Sequence, residues 1–162
     1  MPYYKDKNSK VHYLDSAEFE HLLPAGCVQI TDAEAAAILN PPLTIEEVKA
    51  NKLAALAAYR YEQETAGIVV GDATIKTDRE SQAMISGAKM FSDLNPTALI
   101  DWKGADGWVQ INQATLLAIG QAVGAHVQSC FSAERTHAEA IAALTTAAEI
   151  EAYDFTTGWG IE

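Results

Sequence analysis

The sequence predicts an α+β fold that is mainly α. Of its 162 residues 29 are alanine, the residue of highest helix propensity. Apolar or small residues recur at Leu116, Ile119, Val123, Val127, Cys130, Phe131, Ala138, Ile141, Leu144 and Ala148, a spacing of three and four that lines one side of a long helix. Short runs of strand-forming residues flank turn-rich segments near the N-terminus, around Gly71 and around Gly104.

Taken in order, residues 3–5 and 10–14 flank Asp6-Lys7-Asn8-Ser9 and read as a short hairpin, and residues 27–30 supply a third strand. Thr31-Asp32-Ala33-Glu34 has the form of a capping box, which predicts a short helix to Leu39. Asn40-Pro41-Pro42 stops it, because proline disfavours helix in the residue before it and has no N–H to donate. A second box, Thr44 to Glu47, opens a helix to about Ala66 with Ile45, Val48, Leu53, Leu56 and Tyr59 on one broad face, closed by Gly67. Residues 68–70 and 74–76 surround Gly71-Asp72 as a second hairpin. A third box, Thr77 to Glu80, predicts a helix to about Ser92 whose inner face carries Met84, Ala88 and Phe91, ended by Asn95-Pro96. Residues 98–102 and 108–111 form the next hairpin, turning at residues 103–107. Asn112 is the N-cap of the long helix, which runs to about Leu144 and contains Gly120 and Gly124. Each glycine there costs roughly 1 kcal/mol relative to alanine, either as a tolerated weak spot or to admit a close helix crossing. Thr145-Thr146 breaks the helix before a last turn at residues 147–151. The organisation is therefore a small hairpin and short-helix module at residues 1–40, a Pro-rich linker at 41–43, a helical domain at 44–152 with two short hairpins, and an aromatic tail at 153–162.

A net charge of −11 disfavours nucleic-acid backbones and anionic membrane surfaces, both polyanions, so the expected partner is a protein. No run approaches the roughly 20 apolar residues of a membrane span, and the polar N-terminus has no signal-peptide pattern, so a soluble cytoplasmic protein is expected. Cys27 and Cys130 form no paired framework, and no disulfide is expected.

His126, Cys130 and His137 lie near one stripe of the long helix, but three ligands over three turns span about 16 Å at the standard rise, too far for one ion. Residues 101–107 lack the oxygen ligands of a calcium loop, and residues 67–71 lack the pattern of a phosphate loop. Glu46-Glu47 and Glu149 to Glu151 sit in first helical turns, where acidic residues serve the macrodipole. No serine occupies a nucleophile elbow. The reading is a binding protein with no catalytic residues, metal or cofactor. Its candidate partner contacts are the large aromatics: Tyr3 and Tyr4, Trp102 and Trp108 at the central hairpin, and Tyr153, Phe155 and Trp159 in the tail, with core packing the competing use.

Two resemblances sharpen this. Residues 49–159, through Ile75-Lys76-Thr77-Asp78-Arg79-Glu80-Ser81-Gln82, Ile100-Asp101-Trp102, Ala125-His126-Val127 and Ala148-Glu149-Ile150-Glu151-Ala152-Tyr153-Asp154-Phe155-Thr156-Thr157-Gly158-Trp159, resemble a domain of unassigned function common in phage tail and tail-like proteins. The opening Pro2-Tyr3-Tyr4-Lys5-Asp6, the segment Ile30-Thr31-Asp32-Ala33-Glu34-Ala35 and Pro41-Pro42 resemble tail-fibre assembly proteins of phages and R-type tailocins. The resemblance implies a chaperone that binds the C-terminal region of a receptor-binding tail fibre in the bacterial host cytoplasm. The alternative is a structural tail component, a fibre-tip or baseplate subunit, retained in the particle.

Overall fold

The chain divides after Thr44 into two units. The computed structural model describes residues 2–104 and 107–160; Ala105 and Asp106 of the expected third turn, and the last two residues of the expected tail, lie outside the described residues.

In the first unit, β1 (Tyr3–Lys5) is the middle strand of an antiparallel sheet of order β2-β1-β3, with β2 (Val11–Tyr13) and β3 (Val28–Ile30) at its edges. The expected turn forms because the Asp6 carboxylate accepts from the backbone N–H groups of Asn8 and Lys10, at 2.8 and 2.9 Å. Between β2 and β3 the chain makes a six-residue 3-10 helix, Ala17–Leu22, that the charged sequence there does not announce. The helix α1 (Asp32–Leu39) starts at the expected capping box, with Thr31 and Glu34 each accepting the other's backbone N–H.

The second unit begins with α2 (Ile45–Thr65), which buries Val48, Leu56 and Glu64, whereas the expected face residues Ile45 and Leu53 are exposed. Gly67 follows at φ +90°, and a Cβ there would stand 3.1 Å from the Ile75 carbonyl oxygen, so both conformation and space require glycine. Next come the hairpin β4 (Ile68–Val70) and β5 (Ala73–Ile75), and then α3 (Arg79–Leu94). Two expectations about α3 need correction. Its N-cap is Asp78, which accepts from the Ser81 N–H, because Thr77 is fully buried and bonded elsewhere. Its inner face is Ile85 and Ser92 with Ala88, while Met84 and Phe91 are 55% and 52% exposed.

The second hairpin, β6 (Ile100–Gly104) and β7 (Gly107–Ile111), pairs Trp102 with Val109 and Lys103 with Trp108, and begins two residues later than expected. From the Asn112 cap, α4 (Gln113–Ala143) runs about 46 Å at 1.5 Å per residue. It serves two separate cores. Leu116 and Val123 pack with Ile85, Ile111 and both hairpins; Cys130 and Ile141 pack with Val48, Leu56, Ile150 and Trp159. Phe131, expected on the packing face, is 42% exposed. The break at Thr145-Thr146 is followed by α5 (Ala147–Ala152), again through a capping box, Thr146 with Glu149. The architecture is α+β, mainly α, with small hairpins and one long helix.

The close crossing at Gly120 and Gly124 is not used. A Cβ at Gly120 would meet Ile85 and Lys89 side-chain atoms at 3.9 Å, ordinary contact, and at exposed Gly124 it would meet nothing within 4 Å. Gly124→Ala should therefore raise the unfolding free energy by roughly 0.5–1 kcal/mol, seen as a higher denaturant midpoint at unchanged slope.

The cap and turn carboxylates also set an acid limit. The Ser81 backbone N–H holds Asp78 below its usual pKa, the Thr31 backbone N–H does so for Glu34, and the hydroxyls of Thr146 and Thr156 do so for Glu149 and Asp154. A carboxylate whose folded pKa is depressed contributes stability that is complete above its unfolded pKa and lost as pH falls through the folded one. The thermal midpoint should thus stay flat down to about pH 5 and drop below about pH 4, measured by calorimetry across an acid series.

Candidate functional site

Three features of the second unit concentrate its polar and aromatic chemistry. The first is a buried ionic knot at the C-terminal end of α2. Glu64 is completely buried, and both its carboxylate oxygens are occupied. The Arg79 guanidinium grips it with two nitrogens, at 3.0 and 3.2 Å, Gln82 Nε2 donates at 3.1 Å, and Arg60 one turn back donates to Oε2. Arg60 also donates to Glu134 at 3.0 Å, and its guanidinium lies over the Phe131 ring, 4.6 Å from the centroid. The end of α2 leaves carbonyls without helical partners, and tertiary groups supply them. Thr77 Oγ1 donates to the Glu64 carbonyl at 2.6 Å and accepts from the Gly67 N–H, while Gln82 Nε2 also donates to the Thr77 carbonyl.

His126 completes that cap. Its Nε2 lies 3.1 and 3.2 Å from the carbonyls of Gln63 and Glu64, and because a carbonyl only accepts, this nitrogen carries the proton. Cys130 Sγ sits 3.9 Å from the same nitrogen. Burial and the nearby Glu64 charge push the Cys130 thiol up, the opposite of what a nucleophile or a metal ligand needs. Among the described residues no three His, Cys, Asp or Glu side chains group as a metal site.

The second feature is the packed C-terminal strap. His137 is buried, donates from Nε2 to the Thr157 carbonyl at 2.9 Å, and is bonded through Nδ1 to the Tyr153 hydroxyl at 2.8 Å. Both histidines are buried. Trp159 is 6% exposed, stacks on His137 with centroids 5.6 Å apart, meets Tyr59 edge-on, and donates its indole N–H to the Phe155 carbonyl. Tyr153 and Phe155 pack partly buried beside it. Of the two uses the sequence leaves open for the tail, packing and partner contact, the structure shows packing into the second unit's core, and Trp159 is covered by its own chain.

The third feature is a groove of about 610 Å³ between β5, the N-terminal half of α3, the β6–β7 hairpin and the start of α4. Ile75, Met84, Ile85, Trp102, Val109, Ile111 and Ile119 supply its apolar lining, beside the charged Lys76, Asp78, Glu80 and Lys103. Each hairpin is a sheet of only two strands, so every strand keeps one unpaired edge, and β5 borders the groove.

The remaining candidate contacts are placed as follows. Trp102 faces inward against the Ile111 and Leu116 core, while Trp108, on the opposite face of the same hairpin, is 73% exposed with Lys103 Nζ 5.9 Å from its ring centre. In the first unit Tyr3 packs against Tyr13, ring centres 5.5 Å apart. Tyr4 is buried and donates to Glu20 of the 3-10 helix, a bond that, with the Glu20 charge and burial, pushes the phenol up to about 12. Sequence reasoning misses the knot altogether. The signal that points to it is Arg60 and Glu64 at helical spacing four, with a second arginine and a glutamine in the first turn of α3.

A family model described as a domain of unknown function, DUF4376, matches residues 47–157. The chain belongs to that family. No curated protein and no solved structure matches the chain. The DUF4376 match runs from the first turn of α2 to Thr157, the residue whose carbonyl His137 holds. It therefore contains the entire knot, both two-stranded hairpins and most of the strap, and leaves the first unit outside. Among the described residues no helix is long and apolar enough to cross a membrane.

Proposed function

We propose that this protein is an assembly chaperone for a phage or tailocin tail fibre, binding the fibre's C-terminal region and assisting its folding and trimerisation. The observation that carries the reading is the mainly apolar groove lined in part by β5, a strand that pairs only with β4 among the described residues. Fibres of this kind are long and β-rich; they fold slowly because non-local strand pairing waits on loop closure, and they expose unpaired strand edges meanwhile. A groove with apolar walls and an open strand edge accepts one extended segment by adding it to the sheet, with backbone hydrogen bonds giving affinity and alternate side chains filling the groove. Exposed Trp108 adds a large amphipathic contact on the outer face of the adjoining hairpin. The resemblance of the N-terminal segments to tail-fibre assembly proteins supplies the biological setting, and a net charge of −11 keeps such a protein soluble while it carries an apolar client.

Coexpression of a cognate fibre with and without the protein tests this. Soluble, trimeric fibre should appear only with it, and equal yields would end the proposal. Val109→Glu, which puts a carboxylate at a half-exposed groove position, should lower that yield while leaving the protein's own melting curve in place. Mass spectrometry of purified particles separates a chaperone from a retained tail subunit, since a stoichiometric amount in the particle assigns the structural role.

A further inference from the structure

Between Ile75 and Met84 the chain has two sides with different company. Ile75, Lys76, Asp78, Glu80, Ser81 and Met84 line the groove, whereas Thr77, Arg79 and Gln82 carry bonds of the ionic knot. One short run, from the end of β5 into the first turns of α3, is therefore groove wall on one side and knot on the other.

The wall depends on what it is tied to, because a two-stranded hairpin by itself is marginal in water and β5 pairs only with β4 among the described residues. Three ties lead to the end of α2. The Thr77 hydroxyl bridges the Glu64 carbonyl and the Gly67 N–H, at 2.6 and 2.9 Å. Arg79 grips the Glu64 carboxylate, and Gln82 Nε2 donates to that carboxylate at 3.1 Å and to the Thr77 carbonyl at 2.7 Å. Gly67 in turn stands against the Ile75 carbonyl, where a Cβ would come to 3.1 Å, so the return strand of the hairpin meets the same anchor. Ile75 and Ile85 also pack with the Leu116 and Val123 core, but apolar contact is non-directional, and the hydrogen bonds to Glu64 are what fix the wall against α2.

We propose that the knot is the positioning device of the groove. Glu64, through its carboxylate and its carbonyl, clamps Thr77, Arg79 and Gln82, so that the other side chains of the same run stand where an occupant meets them. Stability alone does not call for such a group: burying a carboxylate is costly, and well-packed apolar residues in place of a buried ion pair serve a fold as well or better. What apolar residues do not supply is direction. The coupling runs both ways, so that loosening the knot weakens whatever binds the groove and an occupied groove tightens the knot. The proposal rests on the fibre reading only for what the occupant is.

Trp102 lines the same groove from β6 and reports on the wall without any occupant. In a Trp108→Phe background the other tryptophan, Trp159, is 6% exposed and contributes a constant signal. Arg79→Ala removes a side chain that is 54% exposed and leaves the fold standing. It should raise acrylamide quenching of Trp102 and move its emission to longer wavelength, at an unchanged circular dichroism spectrum. Thr77→Val should do the same, and Thr77→Ser, which keeps the hydroxyl, should match the parent. Arg135→Ala, which removes the exposed pair with Glu139 on α4, should leave Trp102 as it was. A knot that only stabilises the fold would lower the melting midpoint without moving Trp102 in the native state. Quenching in Arg79→Ala identical to the parent's therefore overturns the proposal, whatever happens to the fibre. Coexpression then separates the two readings. Changed quenching with a lower yield of trimeric fibre supports both, and changed quenching with full fibre yield keeps the positioning device and removes the groove from fibre binding.

Discussion

Glu64→Gln is expected to lower the unfolding free energy by about 3 kcal/mol, because removing one partner of a buried ion pair leaves the opposite charge buried and uncompensated. The substitution keeps the shape of the side chain and removes only its charge. Arg60 is held 13% exposed beneath Phe131, so its guanidinium has little access to water once Glu64 is neutral, although Glu134 still takes one of its donors. Arg79 is different: its side chain is 54% exposed and already half solvated. Arg79→Ala should therefore lose no more than about 1 kcal/mol, the ordinary worth of a solvent-facing pair. Urea titrations of the two variants measure the asymmetry directly, and equal losses would mean that the knot's stability comes from the Arg79 fork rather than from Arg60.

The knot also shows where the sequence is silent. Local devices are legible: the box at Thr31, the Asn112 cap and the break at Thr145-Thr146 involve residues within four of one another, and each appears where the sequence puts it. Thr77 fails the same test because a tertiary demand competes for it. Its hydroxyl closes the end of α2, so the cap of α3 falls to its neighbour Asp78. Glu64 is hidden for a related reason. In Tyr61-Glu62-Gln63-Glu64-Thr65 it reads as one more solvated helix residue, and the partners that bury it lie 15 and 18 positions further on. The stretch Thr77 to Gln82, on which the family resemblance rests in part, supplies three of the knot's groups, which gives that motif a structural use.

The outer face of α3 is ambiguous for another reason. Apolar residues occupy both sides of the helix, Ile85 with Ala88 and Met84 with Phe91, and periodicity alone does not choose between two seams of equal spacing. The hairpin tryptophans separate more simply, since strand alternation puts Trp102 on the face it shares with Ile100 and Ile111, and Trp108, paired with Lys103, on the other. The histidine and cysteine stripe of α4 is visible as spacing, but its use depends on carbonyls at the end of α2 and in the strap, positioned only by the finished fold.

Trp159→Ala is expected to cost about 3–5 kcal/mol, the range for truncating a buried aromatic side chain. The indole fills the end of the core formed by Val48, Leu56, Cys130, Ile141 and Ile150, and three separate contacts depend on it: the stack on His137, the edge against Tyr59 and the N–H bond to Phe155. Without it the strap loses its anchor, and the buried His137 ring faces the loss of its Thr157 and Tyr153 partners as the segment detaches. A calorimetric midpoint several degrees lower, together with faster proteolysis between Tyr153 and Gly160, is the result to look for. A variant as stable as the parent would return the aromatic segment to the surface as a partner contact. The expected loss also changes how binding experiments on the tail are read: truncating it weakens the domain itself. A fibre-binding defect then speaks for the groove and Trp108 only when it is produced by Val109→Glu or a Trp108 substitution, since Val109 is half-exposed, Trp108 is exposed, and neither belongs to the two cores.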